Sequence, residues 1–280
     1  MNFGGGSIIH CSAGVGRTGV VYITLNLLFE FGINPNTTRF PLTSPYPGIT
    51  KAKIKETIMT SREYRMNLVQ TLEQLAFIME CFCVDEIVDY RKDGEDKAIT
   101  DLPIPKGYTT AFSEANPSKN RYGNILTYDA KPNKVRRVQT LITTTHENGY
   151  INASFAPCIP PPGERIPPNW NCPDFILSQC PIGSNTISAS KRKDNTITDF
   201  QNMIRLNNIR RIIMVTGLVE GATAKCDDYL ALDTQLKPDS ITIVNEFTLY
   251  ESKETAYGQI QEYTYTPLDS RERAGSSSSV

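Results

Sequence analysis

Hydrophobic and polar positions along the chain follow a helical period at first and a strand period later. Residues 8–9 form a short apolar strand, and three stretches with helical spacing follow it, at residues 17–32, 49–65 and 71–82. In the last stretch Thr71 and Gln74 make a capping box ahead of the apolar face. The first part of the chain therefore predicts a strand followed by helices.

Beyond residue 115 the spacing becomes that of β-strands. Short strand candidates are separated by turn residues, a capped helix follows them, and an unbroken apolar run is typical of a central buried strand. An alternating antiparallel pair comes last. In chain order these are strands at 120–129, 150–155 and 175–181, the helix at 196–206, the buried strand at 210–218, and the pair at 241–252 and 258–266.

Between these two parts, residues 84–115 are mixed charged and polar, which predicts a linker with weak structure. Residues 270–280 are expected to be a disordered tail. We find no internal repeat.

Composition narrows the function classes. With 280 residues and 39% hydrophobic content, the chain fits one large or two small globular domains. The 29 basic and 30 acidic residues nearly cancel, so no overall field favours nucleic acid or an anionic membrane surface. Any selectivity for anions must therefore be local.

Seven cysteines without a CxxC pair are expected to be reduced thiols in a cytoplasmic setting. With two histidines in the chain, a histidine metal site is not expected. The opening "MNFGGG" has no features of a signal peptide, and no apolar run approaches about 18 residues, so we expect no membrane segment.

The stretch "SIIHCSAGVGRTGV", residues 7–20, carries the candidate chemistry. Its small residues predict a turn whose backbone N–H groups form an anion cradle at a helix start. Arg17 adds a planar fork that suits two phosphate oxygens, and Cys11 lies where a thiolate is favoured. Such a site suggests covalent phosphoryl transfer, whereas the alternative is a glycine-rich turn with a buried cysteine.

The same stretch resembles the signature HCSAGxGR[ST]G of the protein tyrosine phosphatases. Later segments resemble the front half of that family: "NRYGNI", "YINAS", "FILSQCP", "TDFQNM", "IIMVTGLVEG" and "KCDDY". The family's back half (residues 1–83) thus precedes its front half (residues 116–269). The chain is either a permuted domain or the tail of one domain followed by the head of the next.

The resemblance implies an α/β fold in which a twisted mixed sheet is flanked by helices, and catalysis without metal or organic cofactor. Cys11 would be the nucleophile, Arg17 the transition-state clamp, and His10 and Thr18 would tune Cys11. Gln70 would position the hydrolytic water. The remaining implied residues are the cradle of Ser12, Ala13, Gly14, Val15, Gly16 and Arg17, Tyr122 against the substrate ring, and Glu220 orienting Arg17.

The general acid is implied less directly. The family supplies it from a Trp-Pro-Asp loop, whereas this chain reads "TPLDSRERAG", with Asp269 near the expected place and no tryptophan. Cys180 and Gln201 also depart from the family pattern, at positions where it has glycine and tryptophan.

The expected function is hydrolysis of phosphotyrosine in proteins, by a cytoplasmic enzyme or the intracellular part of a larger receptor-type protein. Its partners would be tyrosine-phosphorylated proteins. Two alternatives stay open: a pseudophosphatase that binds phosphotyrosine without turnover, and a fragment that does not fold.

Overall fold

The computed structural model describes residues 6–34, 37–101, 107–129, 138, 149–158, 175–184, 186 and 193–229, together with the backbone of residues 245–255 and 258–267. The chain divides into two compact units, Met1–Asp227 and Asp228–Val280.

The first unit contains a sheet and several helices. Its helices are α1 (Gly16–Glu30), α2 (Lys51–Ser61), α3 (Leu72–Cys81), α4 (Lys97–Thr100), α5 (Thr109–Phe112) and α6 (Ile197–Leu206), with a 3-10 turn at Pro117–Lys119. Its strands are β1 (Gly6–Cys11), β2 (Ala153–Ala156), β3 (Phe175–Gln179), β4 (Ile209–Met214), β5 (Val219–Glu220) and β6 (Thr223–Ala224).

The main sheet places the first strand of the chain between two strands that come much later. Its order is β2-β3-β1-β4, and β1 is parallel to both neighbours. Ile8 is in register with Ile176 on one side and with Ile212 on the other. Strand β2 is antiparallel to β3, so the sheet is mixed, as expected.

Helices cover both faces of this sheet. Successive residues of β1 point to opposite sides, so the two sides of the strand pack against different helices. On one face Ile9 joins a core with Ile23 and Leu27 of α1 and Ile78 of α3, all four of which are fully buried. On the other face the His10 ring meets Phe200 of α6 edge-on, with ring centroids 5.8 Å apart. The C-terminal end of β1 is thereby fixed between two layers.

The second unit contains a two-stranded hairpin of β7 (Asn245–Thr255) and β8 (Gly258–Pro267). The strands are antiparallel, with Phe247 opposite Tyr265. This confirms the alternating pair predicted from the sequence.

Two strand predictions need correction. The run at 210–218 was expected to be a central buried strand, but β4 is the last strand of the described sheet and is only half-buried. Residues 120–129 form no strand, because their backbone groups bind turns and side chains instead: Ile125 N–H donates to the Tyr122 carbonyl and Leu126 N–H to the Met66 sulfur.

The predicted linker at 84–115 lies within the first unit, and its described residues pack on the core of that unit. Where this segment is described, it contains the short helices α4 and α5, and Ile99 is fully buried in the core. The Asp96 carboxylate, also fully buried, accepts from Lys51 Nζ at 2.8 Å, Lys55 Nζ at 2.9 Å and the Asp89 N–H at 2.6 Å. Asp96 therefore holds this segment onto α2.

We expect Asp96→Asn to lower the free energy of unfolding by about 3 kcal/mol, because it leaves partly buried lysines without their anion. The measurement is the urea midpoint of unfolding at pH 7, compared between the variant and the wild type. The exposed neighbour Asp93 gives the matched control, and Asp93→Asn should leave the midpoint unchanged.

The difference in urea midpoint between the wild type and Asp96→Asn should also depend on pH. Burial raises the pKa of the Asp96 carboxyl, but hydrogen bonds from Lys51, the Asp89 N–H and Lys55 outweigh it and hold the pKa below its usual value. A depressed pKa contributes stability above the unfolded value of about 3.9, and that contribution is lost as the pH falls through the folded value. A midpoint difference that stays constant down to pH 2 would contradict this assignment.

Candidate active site

The loop between β1 and α1 wraps around the sulfur of Cys11. The Gly14 N–H donates to Cys11 Sγ at 3.2 Å, and Cys11 is only 4% exposed. Gly14 has a φ of 74°, and a Cβ at this position would lie 2.1 Å from the Ser178 carbonyl oxygen. The residue must be glycine because the loop passes directly over β3.

The environment of Cys11 favours the thiolate. Burial raises its pKa, but hydrogen bonds from the Thr18 side chain and from the backbone of Thr18, Gly14 and Val15 outweigh that effect, so the pKa is below its ordinary value. Thr18 is fully buried, and its side chain is the largest of these contributions in favour of the thiolate. A thiolate at a helix N-terminus is a competent nucleophile.

Arg17 and Glu220 lie side by side at the mouth of the site. Arg17 Nη1 donates to Glu220 Oε1, and Nη2 donates to Oε2 at 3.2 Å. The Thr216 hydroxyl donates to the same carboxylate at 2.9 Å. These bonds, the one from Arg17 first, lower the pKa of Glu220 to about 2. Glu220 thus holds the guanidinium in one orientation beside the loop.

Tyr122 reaches the Cys11 loop from more than a hundred residues away. Its hydroxyl lies 2.8 Å from Ser12 Oγ, and Ser12 Oγ donates to the Lys225 carbonyl at 2.6 Å. Because Ser12 donates to that carbonyl, it accepts the proton of the Tyr122 hydroxyl. The half-buried Tyr122 ring therefore stands next to the cradle.

His10 lies under the loop and is neutral at physiological pH. Burial lowers its pKa to about 4, opposed by a hydrogen bond to the Cys11 backbone. Nδ1 is 3.4 Å from the Cys11 carbonyl oxygen, and because that oxygen can only accept, Nδ1 carries the proton. The neutral ring thus supports the backbone of the nucleophile without adding charge.

Two glutamines approach the loop from the other side. The Gln70 N–H donates to Gln74 Oε1 at 2.7 Å, which replaces one half of the predicted capping box, while Thr71 Oγ1 accepts from the Gln74 N–H as predicted. A Cβ on Gly16 would lie 3.1 Å from Gln70 Oε1 and 2.8 Å from Gln74 Nε2. Both side chains therefore border the cradle. The sequence analysis assigned Gln74 to the helix cap and did not place it at the site.

Arg65 was also missed, although it holds the loop from behind. This arginine is fully buried and donates to the Gly14 carbonyl at 2.5 Å, the Ala13 carbonyl at 3.2 Å and Asn152 Oδ1 at 3.0 Å. Burial lowers its pKa to about 10, so it stays charged at pH 7. The signal available in the sequence was an arginine placed between Tyr64 and Met66 in "REYRMNLV".

The expectation of reduced thiols is wrong for Cys158, Cys180 and Cys226, which are disulfide-bonded. Cys180 and Cys226 form a disulfide with a Cα–Cα distance of 5.4 Å, whereas Cys11, Cys81 and Cys83 are free. The two half-cystines are 46 residues apart and meet because Cys180 directly follows β3. A His10 ring nitrogen lies within 4.8 Å of both sulfurs, but paired sulfurs offer no thiolate to a metal.

The structure thus brings together most of the residues singled out from the sequence. His10, Cys11, Ser12 to Thr18, Gln70, Tyr122 and Glu220 surround one cradle, whereas Asp269 lies outside the described residues. Across the described part of the chain, no helix combines the length and apolar character needed to cross a bilayer.

Comparison with known proteins identifies the family to which the sequence is similar. The sequence model of the family described as "Protein-tyrosine phosphatase" matches residues 2–83 and 116–274. Receptor-type tyrosine-protein phosphatase eta of Mus musculus is 30% identical over 145 residues, which cover 52% of this chain and 10% of that protein.

Two further relatives are also similar to this chain. Tyrosine-protein phosphatase 69D of Drosophila melanogaster is 26% identical over 262 residues, 84% of this chain and 15% of that protein. Receptor-type tyrosine-protein phosphatase alpha of Homo sapiens is 33% identical over 135 residues, 48% of this chain and 14% of that protein. The chain spans only a small part of the curated relatives that it matches. Since the family's sequence model matches most of the chain, this protein belongs to the protein-tyrosine phosphatase family.

Proposed function

We propose that this chain hydrolyses phosphotyrosine in proteins through a phosphocysteine formed on Cys11. The observation that carries the proposal is the hydrogen-bonded cradle around the Cys11 sulfur, with Arg17 held beside it by Glu220. Preorganised donors of this kind stabilise the charge that develops on a transferring phosphoryl group. This hydrolysis would take place in the intracellular part of a larger receptor-type protein.

In the first step the Cys11 thiolate attacks phosphorus and the bond to the tyrosine oxygen breaks. Arg17 and the N–H groups of Ser12 to Arg17 bind the phosphoryl oxygens, while Tyr122 stacks on the substrate ring. The leaving phenolate takes a proton, which we assign to Asp269 as general acid because a tyrosine leaving group has a pKa near 10.

In the second step water attacks the phosphocysteine and inorganic phosphate leaves. Gln70 borders the cradle beside Gly16 and would orient that water. The water's proton returns to Asp269, and the Cys11 thiolate is restored. Thr18 supports the thiolate through a hydrogen bond from its side chain, and His10 supports the backbone of Cys11.

A second candidate is a module that binds phosphotyrosine without turning it over. The altered acid loop around Asp269, which lacks the family's tryptophan, favours this candidate. It predicts that a phosphotyrosyl peptide binds at the cradle while no phosphate is released.

Cys11→Ser should lower phosphate release from a phosphotyrosyl peptide by at least about 10³-fold, because the hydroxyl is a far weaker nucleophile than the thiolate. The matched control is Cys83→Ser, which changes a free cysteine two residues beyond the end of α3 and should leave release unchanged. Equal rates for wild type and Cys11→Ser would refute the mechanism.

Asp269→Asn should slow the chemical step by about 10²–10⁴-fold if Asp269 is the general acid. The loss should shrink for an aryl phosphate whose leaving group is a weaker base than tyrosine, since such a group needs no proton. Equal losses for both leaving groups would argue against this role.

Thr18→Val should raise the pKa of Cys11, because it removes a hydrogen bond that favours the thiolate. A depressed pKa keeps the thiolate present above the folded value and loses it as the pH falls through that value. The alkylation rate by iodoacetamide at pH 6 should therefore fall severalfold in the variant.

The matched control is Thr24→Val on the same helix, which should leave the alkylation profile of Cys11 in place. Burial and Glu80 raise the pKa of Cys81, so that thiol should react later. Identical pH profiles for wild type and Thr18→Val would show that Thr18 does not tune the sulfur.

A further inference from the structure

Three consecutive residues, Lys225, Cys226 and Asp227, each contact a different part of the site. The Lys225 carbonyl accepts from Ser12 in the Cys11 loop at 2.6 Å. Cys226 is joined to Cys180 at the end of β3. Asp227 turns the other way and meets Arg121, the residue before Tyr122. This short segment therefore connects the nucleophile loop, the sheet and the loop that carries Tyr122.

The Asp227 carboxylate is buried and fully engaged. It is 2% exposed and accepts from Arg121 Nη1 at 3.2 Å, from the Thr186 N–H at 3.1 Å and from the Thr186 hydroxyl. Burial raises its pKa, but hydrogen bonds from Thr186, Gly183 and Arg121 outweigh that effect and keep it below the usual value. At neutral pH it is a buried anion.

Arg121 is held from three sides, which leaves its backbone little freedom. Besides the bond to Asp227, Nη1 donates to the Pro181 carbonyl at 3.0 Å, and the Arg121 N–H donates to Gln179 Oε1 at 2.9 Å. The two carbonyl-type acceptors are neutral, so Asp227 supplies the charge that compensates the buried guanidinium. Because Tyr122 follows directly, its position depends on where Arg121 is held.

We propose that Asp227 is a positioning residue that holds Tyr122 through Arg121 and thereby sets the selectivity of the site for phosphotyrosine over the bare phosphate group. This inference rests on the proposed function. Inorganic phosphate touches only the cradle, whereas phosphotyrosine also needs the Tyr122 ring at a fixed height above it. Loss of Asp227 should therefore weaken binding of the ring and leave binding of the phosphate group alone.

The first measurement is steady-state hydrolysis of a phosphotyrosyl peptide by the whole chain, with inorganic phosphate as competitive inhibitor. Asp227→Asn keeps the shape of the side chain and removes its charge. We expect KM to rise about tenfold, the usual effect of losing a charged hydrogen-bond partner, while kcat and the inhibition constant of phosphate change less than about twofold. Asp93→Asn, at an exposed aspartate outside the site, should change none of these values.

The route through Arg121 is tested by a double-mutant cycle. If Asp227 acts through Arg121, adding Asp227→Asn to Arg121→Gln should raise KM no further than Arg121→Gln alone. Thr186→Val removes one hydrogen bond to the same carboxylate and should raise KM in the same direction by less. This milder variant decides the question if Asp227→Asn does not fold, as judged by its thermal unfolding.

An unchanged KM in the folded variants would overturn the inference. A KM and a phosphate inhibition constant that rise together would also overturn it, because that pattern indicates a damaged cradle. If the wild type releases no phosphate but binds the peptide, the peptide dissociation constant replaces KM and the same outcomes apply. A wild type that neither hydrolyses nor binds the peptide overturns the proposed function itself, and this inference with it.

Discussion

The parallel pairing of β1 between β3 and β4 is the constraint on which the rest of the site depends. It places Cys11 level with Gln179, whose side-chain oxygen binds the backbone of the Tyr122 loop. Just beyond the strand, the Cys180 N–H donates to the Ser12 carbonyl at 3.1 Å, and the Val215 N–H donates to the His10 carbonyl at 2.9 Å. Without this pairing the Cys11 loop would lose its contacts with the segments that follow β3 and β4.

Local electrostatics follow from this assembly. The chain carries a formal net charge of only −1, so the attraction for an anion comes from groups fixed around the loop. The buried Arg65 charge lies behind the carbonyls of Ala13 and Gly14, and the Arg17 guanidinium lies in front, paired with Glu220. Because Arg65 is shielded from solvent, its field at the loop is weakly screened, whereas that of exposed Arg17 is tuned by its carboxylate partner.

The sequence alone predicted what local patterns determine. The cap at Thr71, the helical periods, the hairpin β7–β8 and the glycine-rich loop around Cys11 all follow from residues close together in the chain. What it missed depends on contacts across long separations. Docking of early and late segments determines three such features: the half-buried position of β4, the Cys180–Cys226 disulfide and the role of Arg65.

The most direct test of this assembly is hydrogen exchange of the β1 amides, residues 7–11, measured by mass spectrometry on the whole chain. If β1 lies between β3 and β4, these amides should exchange as slowly as those of residues 175–179, since all are buried in the same ladder. Exchange of residues 7–11 within seconds, while α3 stays protected, would show that the first strand does not dock and would contradict the account.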